Sequence, residues 1–271
     1  MSKIDAVSAD PLGFQSRLID PITRRLLQGA GLRPGMSVLT LGCGMGDVSL
    51  LAARLVGPEG WVHGLDRSGS AVAAARVRAI EAGVDHMTFE EIDLFDYDGA
   101  EKYDLVVGRN FLIHQVDAAT AIRKAASHAR GGGVIAFHEP ALHQDCPAVP
   151  AVPMVTELWA LCRAAFRSVL PHPDVAGKLV RMFIEAGLGE PALFCEVPVG
   201  GAEALVIPWM VQTLKSVLPE VERLGLAGAN RIGLDTLEFR TRRAARQAGM
   251  QITAPMQFCA WSRVKALPPA G

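Results

Sequence analysis

The sequence predicts an α/β fold: a doubly wound, mostly parallel sheet with helices on both faces. Three observations carry this. Short apolar runs alternate with helical stretches of about ten to fifteen residues through the first half of the chain, which is the pattern of βαβ units. Three glycines, Gly42, Gly44 and Gly46, follow directly on the first apolar run. After Glu139 the alternation breaks, so an elaboration is added to the sheet rather than a second copy of it.

The elements follow in order. DPITRRLLQ reads as a helix with Asp20 as N-cap and Pro21 at its first position. MSVLTLG is a buried strand, and Asp47 opens the helix VSLLAARLV, which GPEG ends. WVHGLD is the second strand. Ser68 or Ser70 caps the helix AVAAARVRAIEAG. MTFEEIDL and YDLVVG are the third and fourth strands. Asp117 starts a helix, and GGGVIAFHE is the fifth strand. Beyond it, PALHQDCPAVPAVP is extended, VTELWALCRAAFRSVL and DVAGKLVRMFIEAGL are helical, and PALFCEVPVG is a strand. EALVIPWMVQTLKSVLPE and DTLEFRTRRAARQAG are two further helices. In the second of these, Asp235 and Glu238 have capping-box spacing. MQFCAWSRV alternates as a closing strand, and the tail ALPPAG is expected to be disordered.

The expected organisation is an N-terminal helical segment (1–34) and a sheet-bearing core (35–140). Then come a cap segment with a core helix and the sixth strand (141–200), a helical cap insertion (201–250), and the last strand with the tail (251–271). The cap segments are expected to act as a mobile lid over the sheet's carboxyl edge. Trp159, Phe166, Trp209 and Met210 lie on these helices; most such residues build cores, and an apolar cap suits an uncharged or aromatic ligand.

Composition removes several classes. Of 271 residues half are hydrophobic and a fifth charged, enough for a sizeable core, and the net charge is −1. No basic stripe argues for nucleic acid. The five cysteines are scattered without a CxxC pair, which argues against a disulfide framework or a zinc site, so no metal is expected. The start, MSKIDAVSADPLGFQ, lacks an apolar core for export, and no apolar run reaches membrane-spanning length. The expected location is cytoplasmic, with no membrane partner.

The chemistry lies in VLTLGCGMGDVS, residues 38–49. In an open parallel sheet, ligands bind outside the strands' carboxyl ends where strand order reverses. The glycines lie at such an end, ahead of a helix N-terminus that favours a negative group. Alone, such a loop is as easily an ordinary turn. Asp66, about twenty residues further at the end of the second strand, is placed to accept both hydroxyls of a ribose. Asp93, at the third strand, is placed to accept from an adenine amino group. The three together outline an adenosine. NAD is one candidate, but its fingerprint is GxGxxG and the spacing here is GxGxG.

That GxGxG run resembles motif I of the class I S-adenosylmethionine-dependent methyltransferases. GLDRS, EEIDLFDY and YDLVVGRNFLIHQV resemble their motifs II to IV, and KAASHARGGGVIAFHEP the helix-turn-strand that follows. The likeness covers about residues 35–140, and is nearest to small-molecule enzymes related to ubiquinone and menaquinone C-methyltransferases. It implies a Rossmann-like seven-stranded sheet, S-adenosylmethionine as methyl donor and S-adenosylhomocysteine as product. It also implies a small-molecule acceptor methylated at oxygen, nitrogen or carbon, and it allows a homodimer. Carried over, Gly42, Cys43, Gly44 and Gly46 line the methionine part. Asp66 takes the ribose, Arg67 flanks the adenine, and Asp93 and Leu94 hold it. Arg109 and Asn110 lie beside the methyl donor, and Gln15 is on a segment folding over the cofactor. One position departs: the family usually carries an acid where this chain has Thr40. The Thr40 hydroxyl is expected to face the cofactor's ammonium, and Thr40→Asp to tighten binding.

Methyl transfer needs an acceptor in line and, for a hydroxyl or acidic carbon, a base. His114 after the fourth strand and His138 and Glu139 at the end of the fifth are the candidates, with His143 beyond them. Each has a plainer reading as a packing or capping residue. Two competing functions stay open: a protein of the same fold with a non-methylating or binding-only role, and an RNA methyltransferase. GRNF stands where nucleic-acid amino methyltransferases carry NPPY or DPPY, which weighs against bases as acceptors.

Overall fold

The described residues of this computed structural model are 13–228 and 232–265. The readings made for MSKIDAVSADPL and for the tail ALPPAG lie outside them. The strands are β1 (Ser37–Leu41), β2 (Trp61–Asp66), β3 (Met87–Glu91), β4 (Tyr103–Arg109), β5 (Ala129–Pro140), β6 (Ala148–Val149), β7 (Ala192–Glu196), β8 (Val199–Gly200), β9 (Gln251–Thr253) and β10 (Gln257–Arg263). The helices are α1 (Phe14–Gly29), α2 (Asp47–Val56), α3 (Gly69–Glu81), α4 (Ala118–Ser127), α5 (Pro153–Val169), α6 (Leu179–Glu185), α7 (Val206–Arg223) and α8 (Leu234–Ala248). The chain divides into two compact units. One holds Asp20–Glu139, Val175–Phe194 and the described part of Phe258–Gly271. The other holds Pro140–Asp174, Cys195–Gln257 and the described part of Met1–Ile19.

The first unit is built on a seven-stranded sheet of order β3-β2-β1-β4-β5-β10-β7. Its first five strands are parallel. β10 runs against β5: Val264 exchanges bonds with Gly132 and Gly133, while Met256 meets Ala141 at the other end. From β1 the chain moves out through β2 and β3, then returns to the far side of β1 for β4. The order therefore reverses between β1 and β4, whose carboxyl ends are Leu41 and Arg109.

Register sorts side chains onto two faces. Thr40 lies beside Val107 on β4, Val107 beside Ala136 on β5, and Arg109 beside His138. This face is the one that α1, α2 and α3 cover with Ile22, Leu26, Leu27, Leu51, Val72 and Ala75. Leu27 is fully buried, and truncation to Ala there costs about 2–5 kcal/mol. The opposite face carries Leu39, Val106 and Phe137, with Phe137 meeting Phe183 of α6 edge-on at 6.1 Å.

Several boundaries differ from those read off the sequence, each for a local reason. α1 starts at Phe14 and runs through Pro21, so Asp20 is inside a helix and does not cap one. Burial of Ile19, Ile22 and Leu26 outweighs the backbone bond that proline removes. β3 stops at Glu91, and Asp93 instead caps its own turn by accepting from Phe95 N at 2.9 Å. DVAGKLVRMFIEAGL is a 3₁₀ turn over Val175–Lys178 followed by α6. PALFCEVPVG is interrupted at Pro198 and gives β7 and β8, which belong to different sheets. Asp235 already lies within α8 behind Gly233, so no capping box forms, and Glu238 bonds Arg242 instead.

The second unit holds α5, α7 and α8 and a three-stranded sheet of order β6-β9-β8 that the sequence did not announce. Trp159, Phe166 and Met210 are buried, and Trp159 donates its indole N–H to Gln144 O at 2.9 Å. Trp159 also lies against Trp209 at 6.0 Å. These residues take the plainer of their two readings and build this unit's own core.

Candidate functional site

The glycine loop joins β1 to α2. Gly42, Gly44 and Gly46 have φ of 58°, 52° and 87°, the left-handed region closed to most side chains. A Cβ on Gly42 would stand 2.9 Å from the Phe111 ring, and one on Gly46 would stand 3.2 Å from Ala75. At Gly44 it would meet nothing within 4 Å, so the loop is open there. Cys43 N donates to Leu65 O and Gly46 N to Cys43 O, both at 2.9 Å. The backbone of Cys43 thus helps close the loop, and its carbonyl keeps a second acceptor direction. Its thiol is buried, and burial pushes its pKa up.

Asp66, at the end of β2, ties this loop down. Its Oδ2 accepts from Gly44 N at 2.8 Å and its Oδ1 from Ser68 N at 2.9 Å. A carboxylate offers about four acceptor directions, so these two bonds leave room for a ligand's hydroxyls. Ser68 is the N-cap of α3. Arg67 beside it is exposed, Leu94 is buried and Asp93 is partly buried.

Thr40 is only 1 % exposed, and its hydroxyl lies 2.6 Å from Ser49 Oγ of α2. It joins strand to helix, and its burial departs from the expectation that this hydroxyl faces the cofactor's ammonium. Two residues further along the same face, Arg109 sits with its side chain 5 % exposed. Its guanidinium donates to Asp20 Oδ1 at 2.6 Å and to Thr23 Oγ1 at 3.2 Å, and stands 3.7 Å from Asp47 Oδ2. Asp47 also pairs with Arg78 at 2.7 Å. Burial raises the pKa of Asp20, and the charge of Arg109 opposes this. Arg109 is therefore a buried anchor for α1 and α2, not a group open to the methyl donor.

His138 and Glu139 are both fully buried, and strand alternation sends them to opposite faces. His138 Nδ1 lies 2.9 Å from Thr23 Oγ1 under α1. Glu139 accepts backbone N–H groups from Phe111 and Leu112 at 2.9 and 2.8 Å on Oε1, and from Ile113 at 3.4 Å on Oε2. Burial pushes its pKa up to about 8 against the pull of those three donors. Neither residue has a surface that could meet an acceptor, so both depart from their expected catalytic role. His114 ends the 3₁₀ turn Leu112–His114 and is partly buried. Asn110 is partly exposed and follows Arg109 at the mouth of β4. Gln15 lies in the first turn of α1, partly buried, and His143 Nδ1 meets Pro173 O at 3.3 Å.

Sequence reading missed Thr23, Ser49 and Phe111, and read Asp20 and Asp47 only as helix-start residues. Of these five, only Asp47 carried a local signal for the site, since it follows the last glycine directly. Among the described residues no group of three or more His, Cys, Asp or Glu could hold a metal ion, and no helix is long and apolar enough to cross a membrane.

Known proteins resemble this chain. A family model described as a methyltransferase domain matches residues 32–187. Aklanonic acid methyltransferase of Streptomyces sp. strain C5 is 32% identical over 176 residues, which are 64% of this chain and 77% of that protein. Nocamycin O-methyltransferase of Saccharothrix syringae is 44% identical over 64 residues, only 24% of this chain and 23% of that protein. A provisionally assigned methyltransferase of Bacillus halodurans shares the fold with a TM-score of 0.59 at 14% identity, over 89% of this chain and 98% of that one.

Proposed function

This chain belongs to the methyltransferase-domain family, of the class I Rossmann-like type, and from that premise we propose that it moves a methyl group from S-adenosylmethionine to an oxygen of a small molecule. The observation that carries the cofactor is the bond from Gly44 N to Asp66. It fixes an open glycine backbone against a carboxylate that still has acceptor capacity. Such a pairing suits a nucleoside whose ribose hydroxyls meet the carboxylate.

S-adenosylmethionine fits the residues present. Gly44 leaves space for the methionine part, and Gly42 and Gly46 give the loop its shape. Asp66 would take the ribose hydroxyls, and Arg67, Asp93 and Leu94 would border the adenine. Asn110 would contact the methionine end. Its Oδ1 is buried without a hydrogen-bond partner, an acceptor suited to a donor on the ligand. When bound, the cofactor supplies a methyl group on a positively charged sulfur, which needs no further activation.

The chain's own task is then placement, exclusion of water and removal of a proton. An in-line approach of acceptor and methyl at about 3 Å supplies much of the rate. His138 and Glu139 have no exposed surface and His143 meets Pro173 O, so we assign proton transfer to His114, which is partly exposed. Oxygen as the accepting atom rests on the name of nocamycin O-methyltransferase. A screen of small hydroxylated acceptors with isotope-labelled S-adenosylmethionine, run beside calorimetry with both cofactor forms, tests the reading. Labelled product and micromolar binding are expected. Binding of NAD with no binding of either cofactor form would overturn it.

A further inference from the structure

Among the described residues, Asn110 is alone in being a non-glycine residue with positive φ, at 53°. Asn tolerates this conformation better than most residues, yet it is still held there at a cost. A side-chain oxygen that is buried without a partner adds a second cost. Two unfavourable features at one residue persist only where the surroundings over-determine them.

The surroundings do so from both sides. The residue before, Arg109, is anchored through Asp20 and Thr23. Asn110 N itself donates to His138 O at 2.9 Å. The three residues after it, Phe111, Leu112 and Ile113, all turn their N–H groups onto the carboxyl of Glu139. Phe111 then lies against the space where Gly42 lacks a Cβ, and its ring stacks near Phe137 at 6.2 Å. The loop after β4 and the glycine loop after β1 are thereby shaped together.

We propose that Glu139 is a positioning residue: by gathering the N–H groups of Phe111, Leu112 and Ile113 it holds Asn110 left-handed, with its amide presented to a hydrogen-bond donor of the bound cofactor. The donor is of the class of an ammonium or a hydroxyl. This rests on the cofactor reading above and assigns a role within it. Glu139 touches no ligand and acts through Asn110.

Calorimetry with S-adenosylhomocysteine on four variants tests it, with circular dichroism to verify folding. Asn110→Ala is expected to weaken binding about tenfold, the loss of roughly one good hydrogen bond. Glu139→Ala is expected to weaken it by a similar factor. Glu139→Gln is expected to restore most of the affinity, because its amide oxygen can replace Oε1 as acceptor for Phe111 and Leu112. The double variant Asn110→Ala/Glu139→Ala is expected to bind no more weakly than Asn110→Ala alone. A role confined to stability would leave the affinity of folded Glu139→Ala unchanged, and that result overturns the proposal. So would losses that multiply in the double variant, or an Asn110→Ala variant that binds as wild type does. If Glu139→Ala does not fold, Glu139→Asp carries the same comparison, since it withdraws the carboxyl by one methylene. A wild-type chain that binds neither cofactor form would instead sink the cofactor reading itself, before any variant is compared.

Discussion

The hydroxyls of Thr40 and Ser49 stand 2.6 Å apart and join the middle of the sheet to the first turns of α2. Neither residue has exposed surface to speak of. An acid at Thr40 would enter a closed site. On the same face, Arg109 lies two residues beyond Val107, the register neighbour of Thr40, and already serves Asp20 and Asp47. Thr40→Asp is therefore expected to lower stability by about 2–4 kcal/mol, the scale for an unmatched buried charge, and to leave cofactor affinity no better. Urea denaturation and calorimetry decide it. A stable variant that binds more tightly would restore the role that the sequence suggested for this position.

Asp66 serves the fold and the ligand at once. Its two oxygens hold Gly44 N and Ser68 N. Asp66→Ala leaves both donors without their acceptor, so a stability loss of about 1–3 kcal/mol is expected. Binding of S-adenosylhomocysteine should weaken by at least about tenfold, since charge-assisted bonds to hydroxyls are worth more than neutral ones. An unchanged dissociation constant would remove Asp66 from the site.

Arg109 offers a test of the buried network that needs no ligand. Breaking a buried ion pair from one side leaves the other charge stranded, at a cost of about 3–5 kcal/mol. Arg109→Met strands Asp20 and Asp47, but Asp47 keeps Arg78 and Asp20 is a third exposed, so the lower end of that range is expected. Asp20→Asn should cost less than Arg109→Met, because Arg109 would retain Thr23 and Asp47. Denaturant midpoints of the two variants give the ranking. Equal stability of both with wild type would mean that the pair contributes nothing.

What the sequence disclosed follows the range of the forces involved. The glycine loop, the Ser68 cap and the Asp117 cap depend on neighbours a few residues away, and they stand where expected. The sheet from β1 to β5 was legible because each strand is an unbroken apolar run bounded by turns. Asp20 was misread because its local pattern is that of a cap, while its partner lies 89 positions away. Glu139 was given to a ligand for the same reason, its donors lying 26 to 28 positions away, whereas the partner of Thr40 is only nine positions off but on the next element. Position at a strand's carboxyl end is local information. Which groups a fold brings against that position, Ser49 in one case and three backbone N–H groups in the other, is not.

The pH dependence of stability should carry the mark of Glu139. Burial and the three N–H donors are the influences acting on it, and burial prevails, raising its pKa from an ordinary 4.5 to about 8. A carboxyl so raised holds its proton in the folded state at pH values where the unfolded chain has lost it. Folding then takes up a proton between about pH 4.5 and 8. The group's contribution is full below the lower value and is lost progressively up to the higher one. A proton on Oε2, which has only the long contact from Ile113, would leave both short bonds to Oε1 in place. Glu139→Gln imitates the protonated form at every pH. The stability of wild type relative to Glu139→Gln is thus expected to fall as pH rises from 5 to 8, by at most about 1.4 kcal/mol per unit. Paired urea titrations at pH 5, 6, 7 and 8 measure that difference with other titrating groups held common. A difference that stays flat, or that grows with pH, would show Glu139 ionised in the fold, with the N–H donors outweighing burial.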